Sequence, residues 1–299
     1  MADGIIRLPD PFCHEYHCLI NIWSAIVNCR VKKEGVFQLY YLFVLISFAA
    51  SVLGSICGIG GGVIIKPALD ATGILNVAAI SFLSSCSVFA MSLYSVVSSF
   101  ISRKTKINLR VSLPLSISAA AGGIAGNKIF RAVWLIFEDK NMAGLIQASC
   151  FILLILGTLI YTIRKNHIKT RRIQNVAFIS LIGFMLGSFS AFLGIGGGPI
   201  NMVVLFYFFS METKEAAENS LFIILFSQIM NLSTSVISNT VPEVDMLLLV
   251  LMPAAGILGA LAGRAINRKI RTVTVERLLV VLFTVIILIN VYNVFRFVA

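Results

Sequence analysis

Two identical glycine clusters, Gly-Ile-Gly-Gly-Gly, interrupt a chain that is otherwise a succession of long apolar runs. The first is Gly58 to Gly62, and the second is Gly194 to Gly198, 136 residues further on. Runs of about 20 apolar residues recur along the sequence, each long enough to cross a hydrocarbon core about 30 Å thick. Only 12% of the residues are charged, against roughly 25% in a soluble domain. Such a chain cannot dress a soluble surface, so it reads as an all-α polytopic membrane protein rather than a soluble bundle.

Eight long apolar segments are predicted, at 38–57, 73–100, 109–127, 142–163, 174–193, 215–240, 247–263 and 274–295. Two shorter pieces, 60–69 and 199–209, directly follow the glycine clusters. At 1.5 Å per residue they reach only about halfway across the core, which predicts half-helices of broken or re-entrant segments. The two parts of the chain match in order. Asn76–Ser81 corresponds to Lys214–Asn219, and Gly122–Gly126 corresponds to Gly259–Gly263. This predicts an internal duplication: a polar tail over 1–35, a first membrane repeat over 36–163, a basic linker over 164–173 and a second repeat over 174–296. Each repeat leaves free backbone groups that need covering, so the two are expected to form one transport domain.

The formal charge of +11 does not point to nucleic acid. The basic residues sit in short loops between apolar runs, at 28–33, 101–110 and 164–172. Such loops mark the cytoplasmic face and lie against anionic headgroups of the lipid bilayer. Eight crossings with a cytoplasmic N-terminus put all three clusters inside, but leave Arg264, Arg268, Lys269 and Arg271 outside, against the charge rule. A plasma or inner membrane is expected, a eukaryotic endomembrane being the alternative. No basic-then-apolar signal peptide opens the sequence. Cys13, His14, His17 and Cys18 lack a second ligand group at zinc spacing and read as part of a polar tail. No metal or cofactor is expected.

A glycine-rich break inside lipid requires that its backbone be buried in protein or line an aqueous cavity. Glycine permits φ > 0 and leaves the amides uncovered by a side chain. A half-helix starting at Gly61 or Gly197 would aim unpaired N–H groups and a partial positive charge at whatever lies before it, favouring an anion. Two such ends, one per repeat, could converge near the midplane. Pro199, directly after Gly198, suits a first helical turn. Tight helix packing by small residues is the competing reading of the motif. Neither a dinucleotide fingerprint nor a P-loop fits, since there is no βαβ context and no GK[ST].

The paired motifs, the first continuing Val63-Ile64-Ile65-Lys66-Pro67-Ala68-Leu69, resemble the repeated GxGGGxxxxPxL signature of the sulfite exporter TauE/SafE family, also called the 4-toluene sulfonate uptake permease family. The resemblance covers roughly residues 36–296. It implies secondary transport of small sulfur-containing or carboxylated anions such as sulfite, sulfonates or sulfoacetate. It places Gly58, Gly60, Gly61, Gly62 and Pro67 at the first break and Gly194, Gly196, Gly197 and Gly198 at the second. Val203 stands where the first copy has Pro67, so the two half-sites are not identical.

Ser81, with Ser84 and Ser85, and Asn219, with Ser220, are the neutral donors expected to complete the anion's hydrogen bonds, helix–helix contact being their alternative. Gln147, Gln228 and Asn231 are weaker candidates. Lys66 either attracts anions or extends to an interface. Glu218 either complements a helix dipole or couples transport to protons. The GxxxG pairs Gly122/Gly126 and Gly259/Gly263 serve close helix approach, within the chain or in a homodimer. An anion channel of the same architecture and a membrane scaffold or receptor are the alternative functions. An enzyme is not expected, because no HExxH or GxSxG occurs.

Overall fold

In the computed structural model the described residues are 36–102, 105–136, 140–193 and 197–298, and they are helical apart from short connections. The helices are α1 (Val36–Cys57), α2 (Gly62–Asp70), α3 (Val77–Ile101), α4 (Leu109–Ile136) and α5 (Lys140–Arg164), then α6 (Val176–Leu193), α7 (Gly198–Phe209), α8 (Thr213–Ile237), α9 (Met246–Lys269) and α10 (Thr272–Val298). Five helices precede the basic linker and five follow it, with the short helix second in each set. The tail cysteines and histidines, and Gly194 and Gly196, lie outside the described residues. Residues 41–299 form one compact unit.

Local chemistry sets the helix ends. The side chain of Asn76 accepts from the Ala79 amide at 2.7 Å and starts α3. Asp245 does the same for α9, accepting from Leu247 N at 2.8 Å. Both satisfy amides that have no intrahelical acceptor. At the far end of α9, Lys214 Nζ donates to the Asn267 and Ile270 carbonyls at 2.7 and 2.6 Å, placing a cation on the negative end of the helix dipole. Six helices (α1, α3, α4, α8, α9 and α10) are long and apolar enough to cross a membrane. The apolar parts of α5 and α6 are shorter, at Ser149–Arg164 and Val176–Ala191.

The GxxxG pairs pack helices of one set on helices of the other. A methyl group at Gly122 or Gly126 would overlap the carbonyls of Phe184 and Ser188 on α6. At Gly259 or Gly263 it would overlap the carbonyls of Phe48 and Val52 on α1. The two pairings repeat 136 to 137 residues apart. Each helix backbone is therefore seated directly on its partner, where dispersion and short polar contacts replace a hydrophobic driving force. Ser188 Oγ donates to the Gly122 carbonyl at 3.0 Å; across the other seam Ser47 Oγ donates to Met252 O at 2.9 Å and Asn267 Nδ2 to Ile56 O at 2.9 Å. The motifs are occupied within the chain, which decides between the two sequence readings.

Contacts between loops fix helix direction. Asn219 near the start of α8 bonds Lys106 O and Asn108 N, and Arg264 near the end of α9 bonds Ser99 at the end of α3. Lys165 Nζ meets Glu276 Oε1 at 2.5 Å and Thr213 Oγ1 at 2.9 Å, joining the end of α5 to the starts of α8 and α10. The loops around 105–110, 165–172, 210–214 and 264–271 thus share one end of the molecule, the basic end. The start of α3, the end of α8 and the Glu243/Asp245 loop lie at the other. Corresponding helices run in opposite directions, so the two sets are inverted.

This corrects the parity expected from eight crossings. The half-helices double back: α2 returns toward the end from which α1 enters, and α7 returns to the basic end, where the Tyr207 and Phe208 carbonyls accept from the amides of Arg171 and Ile173 at 2.7 and 3.0 Å. Because of this reversal the 101–110 and 264–271 loops lie on the same side. In a background lacking the six native cysteines, Lys106→Cys and Arg268→Cys are expected to react with an impermeant maleimide from one face and Glu243→Cys from the other. Reaction of Lys106→Cys and Arg268→Cys from opposite faces would contradict this topology. Gly126→Val should lower folded yield, since overpacking of this kind costs about 1–3 kcal/mol.

Candidate functional site

The glycine breaks are built differently and meet each other. In the first, Gly58 and Gly60 both take φ +72°, a left-handed backbone that other residues adopt only under strain, and Gly61 begins α2 in the right-handed region. In the second, Gly197 itself is left-handed at φ +82° and Pro199 occupies the first turn of α7. This is the asymmetry that the early proline implies. A side chain at Gly198 would overlap the carbonyl of Ile59, so the start of α7 lies against the backbone of the other break. A side chain at Gly58 would overlap Ala217 of α8. Gly60 faces Ile224, midway along α8, and Val88, midway along α3. The breaks therefore join at the centre of the helix assembly.

Beside this junction, on the side away from the basic end, lies a cavity of about 70 Å³, several times what one water requires. Gly62 at the start of α2 borders it, together with Ser84 and Ser85 of α3, Gly123 and Asn127 of α4, Ser190 of α6, and Ser227, Gln228, Asn231 and Thr234 of α8. Its polar side chains are hydroxyls and carboxamides, and among the described residues no charged one is in the lining. Asn231 Nδ2 donates to Ser85 Oγ at 3.0 Å. Gln228 is 4% exposed and its Oε1 has no hydrogen-bond partner among the described residues. The α2 turn closes with Ile64 and Ile65 amides on Gly61 O. The amides of Gly62 and Val63, ahead of that turn, are the ones a helix start leaves without an intrahelical acceptor. Neutral donors of this kind bind an oxyanion and release it without breaking an ion pair.

The expected site residues are partly brought together. Gly62 lines the cavity; Gly58, Gly60 and Gly61 form the loop behind it; Gly198 packs against that loop. Beside Gly197 sit Ser190 Oγ and Asn201 Oδ1, and the Asn201 carboxamide is fully buried with neither end hydrogen-bonded among the described residues. Ser81 is absent from the lining; Ser84 and Ser85, one turn on, take the place expected of it. Asn219 is likewise distant. Its carboxamide is consumed by Asn108 N, Ser112 Oγ, Lys106 O and Glu215 O, so it secures the start of α4.

Glu218 Oε2 accepts from Ser99 Oγ at 3.3 Å and from Lys106 N at 3.1 Å, at the basic end and outside the cavity. Lys66 is buried on α2, with Asp70 one turn along the same face, and does not line the cavity. Pro67 lies inside α2, and its carbonyl accepts from Asn293 Nδ2 at 3.3 Å. Asn127, Ser190 and Thr234 were not singled out from the sequence. The signal available was a polar residue facing the same side of its helix as a glycine contact.

The family-level comparison decides what kind of protein carries this site. The family model described as "Sulfite exporter TauE/SafE" matches residues 43–290. The chain belongs to the sulfite exporter TauE/SafE family. A probable membrane transporter protein of Methanocaldococcus jannaschii is 28% identical over 188 residues, spanning 58% of this chain and 65% of the relative. The probable membrane transporter protein YunE of Bacillus subtilis is 25% identical over 261 residues, spanning 79% and 91%. The chain thus spans slightly less than two thirds of the archaeal relative. No solved structure matches it. TauE/SafE membership places the chain among membrane transporters and not among enzymes. Within this family member, Gln228→Ala should weaken substrate binding severalfold at unchanged folded yield; unchanged binding would remove Gln228 from the site.

Proposed function

We propose that this TauE/SafE protein is a secondary transporter of small sulfur-containing or carboxylated anions, of the size and charge of sulfite or sulfoacetate. The observation that carries the proposal is the central cavity bordered by the first turn of a broken helix and by neutral hydrogen-bond donors. An anion there would be met by the side chains of Ser84, Ser85 and Gln228, and by the positive end of α7, which runs from the junction to the basic end and so aims its first amides toward the cavity side. The second break also supports the first, since Gly198 sits on Ile59. Both repeats are needed for one site, which favours a single transport domain. The basic end faces the cytoplasm in this reading, because its loops carry Arg110, Arg164, Lys169, Arg172 and Arg271. Since α1 enters from the opposite end, this reverses the cytoplasmic N-terminus expected from the sequence.

The test is flux in proteoliposomes of purified protein, comparing sulfite, sulfoacetate, sulfate and the zwitterion taurine with and without a pH gradient. Saturable flux of sulfite or sulfoacetate, exceeding that of taurine, is expected; a pH gradient that alters the rate would add proton coupling. Absence of saturable flux for every anion would overturn the proposal. Gly61→Val and Gly197→Val should each lower binding and flux more than tenfold. At Gly61 a side chain meets Ile65 and Ser51 at 3.3 Å, and at Gly197 it meets Ser190 Oγ at 2.7 Å on a left-handed backbone. Losing one charge-assisted donor is worth roughly 1.5–3 kcal/mol, about tenfold or more in affinity. Gly157, which has open space around it, is the control, because Gly123 lines the cavity.

A further inference from the structure

The inverted arrangement gives each cavity residue a counterpart on the basic side of the junction. Along α4 and α9 the register is fixed by the glycine contacts, with Gly122 matching Gly259 and Gly126 matching Gly263. The next residue in each helix is Asn127 and Arg264. Asn127 lines the cavity. Arg264 holds the equivalent place toward the basic end, where Phe222 and Leu225 of α8 are packed against Val96 of α3. Above that apolar plug Arg264 Nη1 donates to the Ser95 carbonyl and to Ser99 Oγ, the latter at 2.8 Å. Ser99 Oγ in turn donates to Glu218 Oε2 at 3.3 Å. Arg264 Nε is buried and has no partner among the described residues.

Two features of this arrangement need a cause. A guanidinium inside an apolar helix is expensive unless it meets an anion or a water-filled path. A buried Nε–H left unpaired adds to that cost, since guanidinium binds oxyanions through paired N–H groups. The second feature is the exchange of polarity, an amide at one end of the pseudo-symmetry and a cation at the other. In transporters built from inverted repeats, each repeat takes in turn the conformation of the other. When the basic side opens, the position of Arg264 becomes what Asn127 is now.

We infer that Arg264 is an anion-binding residue of the state open to the basic end, and that Glu218, bridged to it by Ser99, stands in for the anion while that end is closed. The inference rests on the anion-transport reading and adds to it a residue, a sidedness and a gate. Substrate arriving from the basic end meets a guanidinium with a free N–H edge; substrate arriving from the other end meets only neutral donors. The carboxylate competes for the guanidinium, so an anion entering from the basic side displaces an internal one. Opening there breaks the Arg264–Ser95 and Arg264–Ser99 bonds and separates Phe222 from Val96.

The test uses membrane vesicles of both orientations containing the full chain, with sulfite or sulfoacetate uptake measured at each face. Arg264→Gln should raise the half-saturating concentration at the basic face at least tenfold and leave the other face within twofold of the unchanged protein. Glu218→Gln should lower it at the basic face, because the competing carboxylate is gone. Arg264→Lys, which keeps the charge but loses the fork, should fall between the unchanged protein and Arg264→Gln. Equal effects of Arg264→Gln at both faces, or no effect at either, would overturn the inference. So would a Glu218→Gln variant whose half-saturation at the basic face is unchanged or raised, a readout that stands if Arg264→Gln yields no folded protein. If the unchanged protein moves none of these anions, the transport reading fails instead, and both fall together.

Discussion

Lipid offers no hydrogen-bond partner to an interrupted helix, and this chain interrupts two. The contact of Gly198 with the Ile59 carbonyl answers that constraint, because each break covers backbone of the other. Much of the remaining architecture follows from the need to hold that contact in place. The GxxxG faces of α4 and α9 seat backbone on backbone against α6 and α1, the helices that lead into the breaks. Serine and asparagine side chains at those seams donate to helix carbonyls across them, as Ser47, Ser188 and Asn267 do. A small-residue seam leaves no volume for adjustment. Packing precise enough to position a loop of glycines is what small residues at helix contacts supply.

Inversion of the two sets gives the contact its second consequence. The breaks enter from opposite ends and meet in the middle, so one lies between the junction and each end of the molecule. On one side neutral side chains surround a cavity; on the other Phe222, Leu225 and Val96 fill the space beneath the Arg264–Ser99–Glu218 bridge. A symmetric pair of sites would hold the anion equally from both directions. In the anion-transport reading, an asymmetric pair, neutral against cationic, would give the two faces different affinities for the same substrate.

Much of this was legible in the sequence. Hydropathy located all ten helical pieces, because apolar runs of this length have few alternatives in a bilayer. The duplicated glycines marked the centre for a backbone reason that one chain displays without comparison. Direction was harder to read. Whether Gly62–Asp70 continues across or doubles back depends on φ at Gly58 and Gly60, which composition does not encode. The basic loops carried a clue, since 264–271 violated the charge rule under eight crossings and satisfies it once both half-helices reverse. Side-chain roles depended on helix rotation: Ser84 and Ser85 face the cavity and Ser81 does not, a difference of one turn in a serine-rich helix. Asn219 carries the polarity of a ligand residue, but it is occupied by the chain entering α4, a contact between residues more than 100 positions apart.

The claim on which everything else turns is that one small oxyanion binds beside the meeting point of the two breaks. Selenite, the selenium analogue of sulfite, scatters anomalously and can be located directly in crystals of the protein soaked with it. The predicted result is a single buried anomalous peak in the central cavity, within hydrogen-bonding distance of the Ser84 and Gln228 side chains. Peaks confined to the basic loops, with the central cavity empty at a selenite concentration that saturates transport, would contradict it.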